Sequence, residues 1–147
     1  MVLYNEVMEI SKVGTGFKIK GKQAVVIIEP AGKIVVGEFA IVGPGEYEIA
    51  GVTVTGIKIP PTVYRLSVDG VNICYFEETI EKLTQEQVEK LDGIDIILGK
   101  KITPQLVTEI EPVMMVTTEK KEGIIPVAKL NIIREKLPTE LQTIVLE

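Results

Sequence analysis

Residues 83–98 read Leu-Thr-Gln-Glu-Gln-Val-Glu-Lys-Leu-Asp-Gly-Ile-Asp-Ile-Ile-Leu, and the hydrophobic period changes within them. Thr84 and Gln87 have capping-box spacing: the hydroxyl can accept from the backbone at Gln87 while the Gln87 side chain reaches back. Leu83 and Val88 sit at the hydrophobic staple positions around that cap. Gly93 supplies a C-terminal stop, so the spacing predicts a helix over 85–92. The apolar run at 94–98, interrupted only by Asp95, predicts a buried strand. Downstream, Thr103 caps a second helix with Pro104 at its first position, Leu106, Val107 and Ile110 form its apolar stripe, and Pro112 ends it. Strands are predicted at 113–116, 129–133 and 142–146.

Upstream of residue 83 the period is two. Val and Ile together number 40 against 10 Leu, and branching at Cβ suits the pleated sheet better than the helix. Strands are expected at 7–13, 17–20, 24–28, 33–36, 39–42, 46–49, 52–59, 62–68 and 71–76. Gly14-Thr15-Gly16, Pro30-Ala31-Gly32 and Gly43-Pro44-Gly45 stand between them as turns, and Asp69-Gly70 is a strong two-residue hairpin signal. A meander followed by alternating strands and helices places the chain among α+β or layered α/β domains.

The 147 residues are 46% hydrophobic and 25% charged, which fits one globular domain over 1–147. A net charge of −5 excludes a strongly basic nucleic-acid-binding domain. The longest uncharged run, 49–57, is too short to span a bilayer. Glu6 and Glu9 stand where a signal peptide needs a basic end, so a cytoplasmic protein is expected. The chain has one cysteine and no histidine. Nucleophilic catalysis through imidazole is thereby excluded, as are ordinary zinc sites, which need imidazole or several thiolates.

The order of segments resembles the metallo-β-lactamase superfamily, in particular its small members without extra domains. Met8-Glu9-Ile10-Ser11-Lys12-Val13-Gly14 and Gly16-Phe17-Lys18-Ile19 are similar to the opening strand pair. Gly43-Pro44-Gly45-Glu46-Tyr47-Glu48-Ile49 with Gly51-Val52 resembles a following segment. Val71 to Phe76 stands where the family runs into its Gly-Asp metal motif, and Ile110-Glu111-Pro112 precedes its last metal histidine. The resemblance runs in order along nearly the whole chain. It implies a shortened metallo-β-lactamase-like sandwich of two mixed β-sheets with flanking helices.

The same resemblance shows what is missing. The family's His-x-His-x-Asp-His segment would follow 28–30, where only the short stretch 31–38 stands. Another histidine position falls on Pro60-Pro61, the Gly-Asp motif is replaced by Glu77-Glu78, and the final histidine position falls at about Glu119. These departures point to a member without its metal centre: no cofactor is expected, and no catalytic residue. The candidates that remain are Glu77, Glu78 and Glu119, which would line the old cleft and could hold Mg²⁺ or Mn²⁺ through oxygen. Solvated acids at loop ends are the ordinary alternative.

Cys74 lies mid-strand and has no histidine to make it a thiolate, so it reads as packing. Gly14-Thr15-Gly16 precedes a strand and lacks a third glycine, so it is no dinucleotide fingerprint. Lys18, Lys20 and Lys22 and the pairs Lys100-Lys101 and Lys120-Lys121 read as edge lysines that deter strand pairing. A nucleic-acid surface built from them is the third choice. The first expectation is a non-catalytic interaction protein that self-associates, because the shortened region after Pro30 leaves sheet surface without a covering helix. Val25, Val26, Ile27, Ile28, Ile34, Val35 and Val36 form apolar runs of the kind buried on both faces. A homodimer is the simplest source of the second cover. The second expectation is a hydrolase with a carboxylate-only metal site.

Overall fold

Branched residues in short runs separated by tight turns pair with their sequence neighbours, and this builds the first sheet. A computed structural model describes residues 7–29, 33–41, 45–57, 63–78 and 82–147. Strands β1 (Met8–Val13), β2 (Gly16–Lys20), β3 (Val25–Ile28), β4 (Ile34–Val36) and β5 (Phe39–Ile41) form a meander. A late strand, β12 (Lys129–Ile132), joins it beside β1, giving the order β12-β1-β2-β3-β4-β5. Every pairing in this sheet is antiparallel. Gly16 is required at the start of β2 because a Cβ there would clash with the Ile28 carbonyl oxygen.

The second sheet has seven strands. β6 (Gly45–Ile49), β7 (Val52–Ile57), β8 (Val63–Val68) and β9 (Val71–Phe76) are antiparallel neighbours. The β8–β9 hairpin turns through Asp69 and Gly70, with φ of 50° and 78°, the positive-φ pair of a type I′ turn. β10 (Ile96–Gly99), β11 (Met114–Thr117) and β13 (Gln142–Val145) extend the sheet in parallel from β9. Parallel neighbours need a crossover. Helix α1 (Gln85–Lys90) supplies it between β9 and β10, and α2 (Pro104–Ile110) between β10 and β11. Of the two sheets expected to be mixed, therefore, this one is. The other is antiparallel in every pairing, β1 to β5 each lying beside its neighbour in sequence.

The capping box forms as the spacing predicts. Thr84 Oγ1 accepts from the Gln87 N–H at 3.2 Å, and Gln87 Oε1 accepts from the Thr84 N–H at 2.9 Å. The helix ends at Lys90 with Leu91 as its cap, two residues before the expected Asp92. Arg65, on β8, donates to the Lys90 carbonyl at 3.3 Å and the Asp92 carbonyl at 2.6 Å, satisfying groups the helix leaves open. Thr103 caps α2, with Pro104 at its first turn. A 3₁₀ turn, Arg134–Lys136, had no signal in the apolar pattern. The Pro30-Ala31-Gly32 and Gly43-Pro44 turns, the Pro60-Pro61 segment, and the expected strand residues 42, 58, 59 and 62 lie outside the described residues.

Two cores result. Met8, Ile10, Phe17, Ile19, Val26, Ile28 and Val36 from the antiparallel sheet meet Val54, Leu66, Ile73, Tyr75, Leu98 and Val116 from the mixed one. The Phe17 and Tyr75 rings cross edge to face, 6.0 Å apart. On the far side of the mixed sheet, Cys74, Phe76, Ile97 and Met115 pack with Leu83, Leu91, Leu106 and Ile110 of the helical layer.

The outer face of the antiparallel sheet is less buried than the face turned to the sandwich. The runs on β3 and β4 are not covered on both faces within the described chain. Val26, Ile28, Ile34 and Val36 are wholly buried toward the sandwich, whereas Val25, Ile27 and Val35 are only half-buried. Pairing aligns Ser11, Lys18, Ile27, Val35 and Ala40 in one row across that outer face. The sandwich core needs only alternate residues of each strand. The others stay on the far side, where no described helix packs.

Candidate functional site

The carboxyl ends of β9, β10 and β11 lie side by side, because Phe76 pairs with Gly99 and Gly99 with Thr117. Such ends are where α/β sheets bind ligands. The residues that leave them are Glu77 and Glu78 after β9, Lys100 and Lys101 after β10, and Thr118, Glu119, Lys120 and Lys121 after β11. All three candidate carboxylates thus belong to one edge.

Each is differently engaged. Glu77 folds back to accept the hydroxyl of Tyr75, so it closes the end of the inter-sheet core. Burial, the Glu77 hydrogen bond and the Glu77 charge together push the Tyr75 phenol well above its ordinary range. Glu78 is exposed. Glu119 accepts from Lys121 Nζ at 3.0 Å. That hydrogen bond and charge, with Lys101 adding a smaller pull, hold the Glu119 carboxyl below its usual range.

Thr117 is the feature that the sequence reading missed. It is a polar residue with no exposure at all. Its hydroxyl donates to the Lys100 carbonyl at 2.8 Å and accepts from the Glu119 N–H at 3.1 Å. The β10 and β11 exits are therefore pinned to each other. Threonine in an apolar run was the only signal, and it is a common one in strands.

A metal of the kind the resemblance implies can be tested against these donors. The chain has no imidazole. Its single thiol, Cys74, is wholly buried on the helix side of the sheet, and burial pushes it well above the ordinary thiol range. Among the described residues, no three Asp, Glu or Cys side chains lie together in a way that could hold an ion. Glu77, Glu78 and Glu119 share an edge without converging on one point. Among the described residues, this donor set fits neither zinc nor a carboxylate-only Mg²⁺ or Mn²⁺ site.

The lysine groups divide in two. Lys100-Lys101 and Lys120-Lys121 come together at this edge, whereas Lys18 and Lys20 stand on β2 of the other sheet, opposite Ser11 and Glu9. No described helix is long and apolar enough to cross a membrane.

No protein-family model matches the chain, and no curated protein sequence matches it. A solved structure does. It is a protein of Thermotoga maritima described as a candidate Zn-dependent hydrolase of the metallo-β-lactamase superfamily, superposing with a TM-score of 0.77 over 95% of this chain and 99% of that one, at 19% identity. The fold is the metallo-β-lactamase fold. At that identity the likeness speaks for architecture, and the residues at the strand ends speak for function. In this version of the fold β3 pairs antiparallel with β4, Ile28 opposite Ile34.

Proposed function

We propose that this chain is a non-catalytic relative of metallo-β-lactamase-fold hydrolases that works in the cytoplasm by interaction and self-association. The observation that carries the first half is the chemistry of the strand ends. Where the resemblance implies metal ligands, the chain places a glutamate turned to a tyrosine and a glutamate held by lysine. Fixed ammonium groups repel a cation, and acids already engaged offer it little.

Self-association rests on the bare outer face of the antiparallel sheet, and the occupant proposed is a second copy of the chain. Six strands at about 4.8 Å spacing and about four residues each at about 3.3 Å rise give a footprint of roughly 380 Å². Side-chain relief and the edge strand β5, whose Phe39 is 60% exposed, extend it. A stable partner buries about 800 Å² per side, of which the flat face supplies about half. Ile27, Val35 and Ala40, aligned on neighbouring strands, give the face an apolar row that a twofold axis would present to itself.

Light scattering at micromolar concentration tests the assembly. The expected mass is about twice 16.2 kDa, falling to the monomer value in Val35→Lys. A monomer at all concentrations, unchanged by Val35→Lys, refutes self-association. Metal analysis after dialysis tests the chemistry. One equivalent of tightly held metal, lost in Glu78→Gln or Glu119→Gln, would establish a metalloenzyme instead.

A further inference from the structure

Two lysine pairs distant in sequence meet because β10 and β11 run parallel with Gly99 opposite Thr117. Both chain segments then leave the sheet at one edge. The buried Thr117 hydroxyl ties them, at 2.8 Å to the Lys100 carbonyl and 3.1 Å to the Glu119 N–H. Glu119 holds Lys121 at 3.0 Å, and Lys101 also lies within electrostatic reach of its carboxylate. Lys101 and Lys120 are exposed, with Lys100 and Lys121 half-exposed. Of the other acids on these segments, Glu77 is engaged by the Tyr75 hydroxyl, and Glu78 after β9 and Glu122 after Lys121 are exposed. Lys101 and Lys121 thus act on one carboxylate, and Lys100 and Lys120 are their chain neighbours on the same tied exits, in a chain whose net charge is −5.

We propose that this edge binds a compact phosphate-bearing anion, held by Lys100, Lys101, Lys120 and Lys121. Lysine is a point-charge binder of phosphate, and the carboxyl ends of parallel strands are where such folds place ligands. The anion is compact because, apart from these four lysines, the chain has 12 basic residues against 21 acidic ones. An extended polyanion would gain at the lysines and be repelled beyond them. Glu119 acts as the resident competitor: its carboxylate occupies Lys121 until a stronger anion displaces it. The proposal rests on the non-catalytic reading in one respect, that lysines and not a metal supply the positive charge.

The test is a calorimetric titration of pyrophosphate into chelator-treated protein. Saturable binding at one site, weakened by salt, is expected. Lys101→Gln combined with Lys120→Gln should weaken it at least about tenfold, the loss of roughly one charge-assisted hydrogen bond. Both residues are exposed, so the variant keeps its fold. Glu119→Gln should tighten binding, an effect no merely structural role produces. Lys18→Gln with Lys20→Gln should leave it unchanged. No saturation by about 10 mM pyrophosphate would overturn the proposal and leave the non-catalytic reading standing. So would equal weakening in the Lys18 and Lys20 variant, or tighter binding of a short single-stranded RNA at the same salt. Binding that appears only after zinc or manganese is added would overturn both.

Discussion

Ile96-Ile97-Leu98 of β10 and Val25-Val26-Ile27-Ile28 of β3 are both unbroken apolar runs, yet the molecule treats them differently. Every residue of β10 is buried, because one face meets the other sheet and the opposite face meets the helical layer. β3 alternates between buried and half-buried. Composition sets how much apolar surface a strand offers, but the layer across from it sets how much is taken up. Around β10 the chain carries its own second layer in α1 and α2. Around β3 the described chain carries none.

The comparison is broken most directly on the covered side. Ile97 lies in the helix-facing core with no exposure. Ile97→Ala removes buried methyl groups from a site hemmed in by Leu91, Ile94 and Leu106, whose backbone is fixed by strands and caps. The expected loss is about 2–5 kcal/mol, read as a lower urea midpoint at unchanged slope. A loss below about 1 kcal/mol would mean that the helical layer packs no better than the bare face does.

β9 offers the second test, since its neighbouring residues face both cores. Cys74 is buried among the helices and Tyr75 between the sheets. The folded chain raises both acids, in each case chiefly by burial. Raised folded values mean that both groups stay protonated in the fold after the unfolded chain has released its protons. Stability is therefore full below the ordinary thiol value of about 8.5 and falls as pH rises above it, more steeply above about 10 where the free phenol ionises. Each group contributes up to about 1.4 kcal/mol per pH unit. Chemical denaturation from pH 7 to 10.5 should show the decline, with Cys74→Ala removing the part that begins near the thiol value. Stability independent of pH across that range would show that water reaches β9.

The cover depends on α1 holding its place, and that much could be read from residues 83–98. Thr84, Gln87 and Gly93 are local signals whose meaning does not depend on the rest of the fold, and the capping box forms as they imply. Thr84→Ala should cost about 1 kcal/mol by leaving the Gln87 N–H without its acceptor. The hairpin at Asp69-Gly70 was legible for the same reason. The candidate site was legible only as a set of acids at strand ends. Glu77 with Tyr75 and Lys121 with Glu119 are pairs two residues apart that meet only because of how the chain bends as it leaves its strand, whereas the tie from Thr117 to the Lys100 carbonyl is set by strand order. Strand order depends on which segments meet across the sheet, which no local pattern records. The same limit explains β3. Its apolar run stated an appetite for cover on both faces and could not say whether the chain would satisfy it.

Ile27→Ala is the smallest expected effect and the sharpest probe of that contrast. Ile27 stands between Lys18 and Val35 on the outer face and is half-buried. In an isolated monomer its truncation leaves no enclosed cavity, because solvent fills the space. The loss should stay below about 1 kcal/mol, well short of that for Ile97→Ala in the same assay. A second copy seated on the face would change this. Stability of an associating chain rises with its own concentration, and a side chain buried at the contact shares in that gain. The two variants should therefore diverge on dilution: the loss for Ile97→Ala holds constant, while that for Ile27→Ala grows with protein concentration as the contact fills. Denaturation at nanomolar and at tens of micromolar chain, about four orders of magnitude apart, separates the cases. If Ile27→Ala costs the same small amount at both ends of that range, nothing covers β3 in solution, and the outer face of the antiparallel sheet is a surface the fold leaves to water.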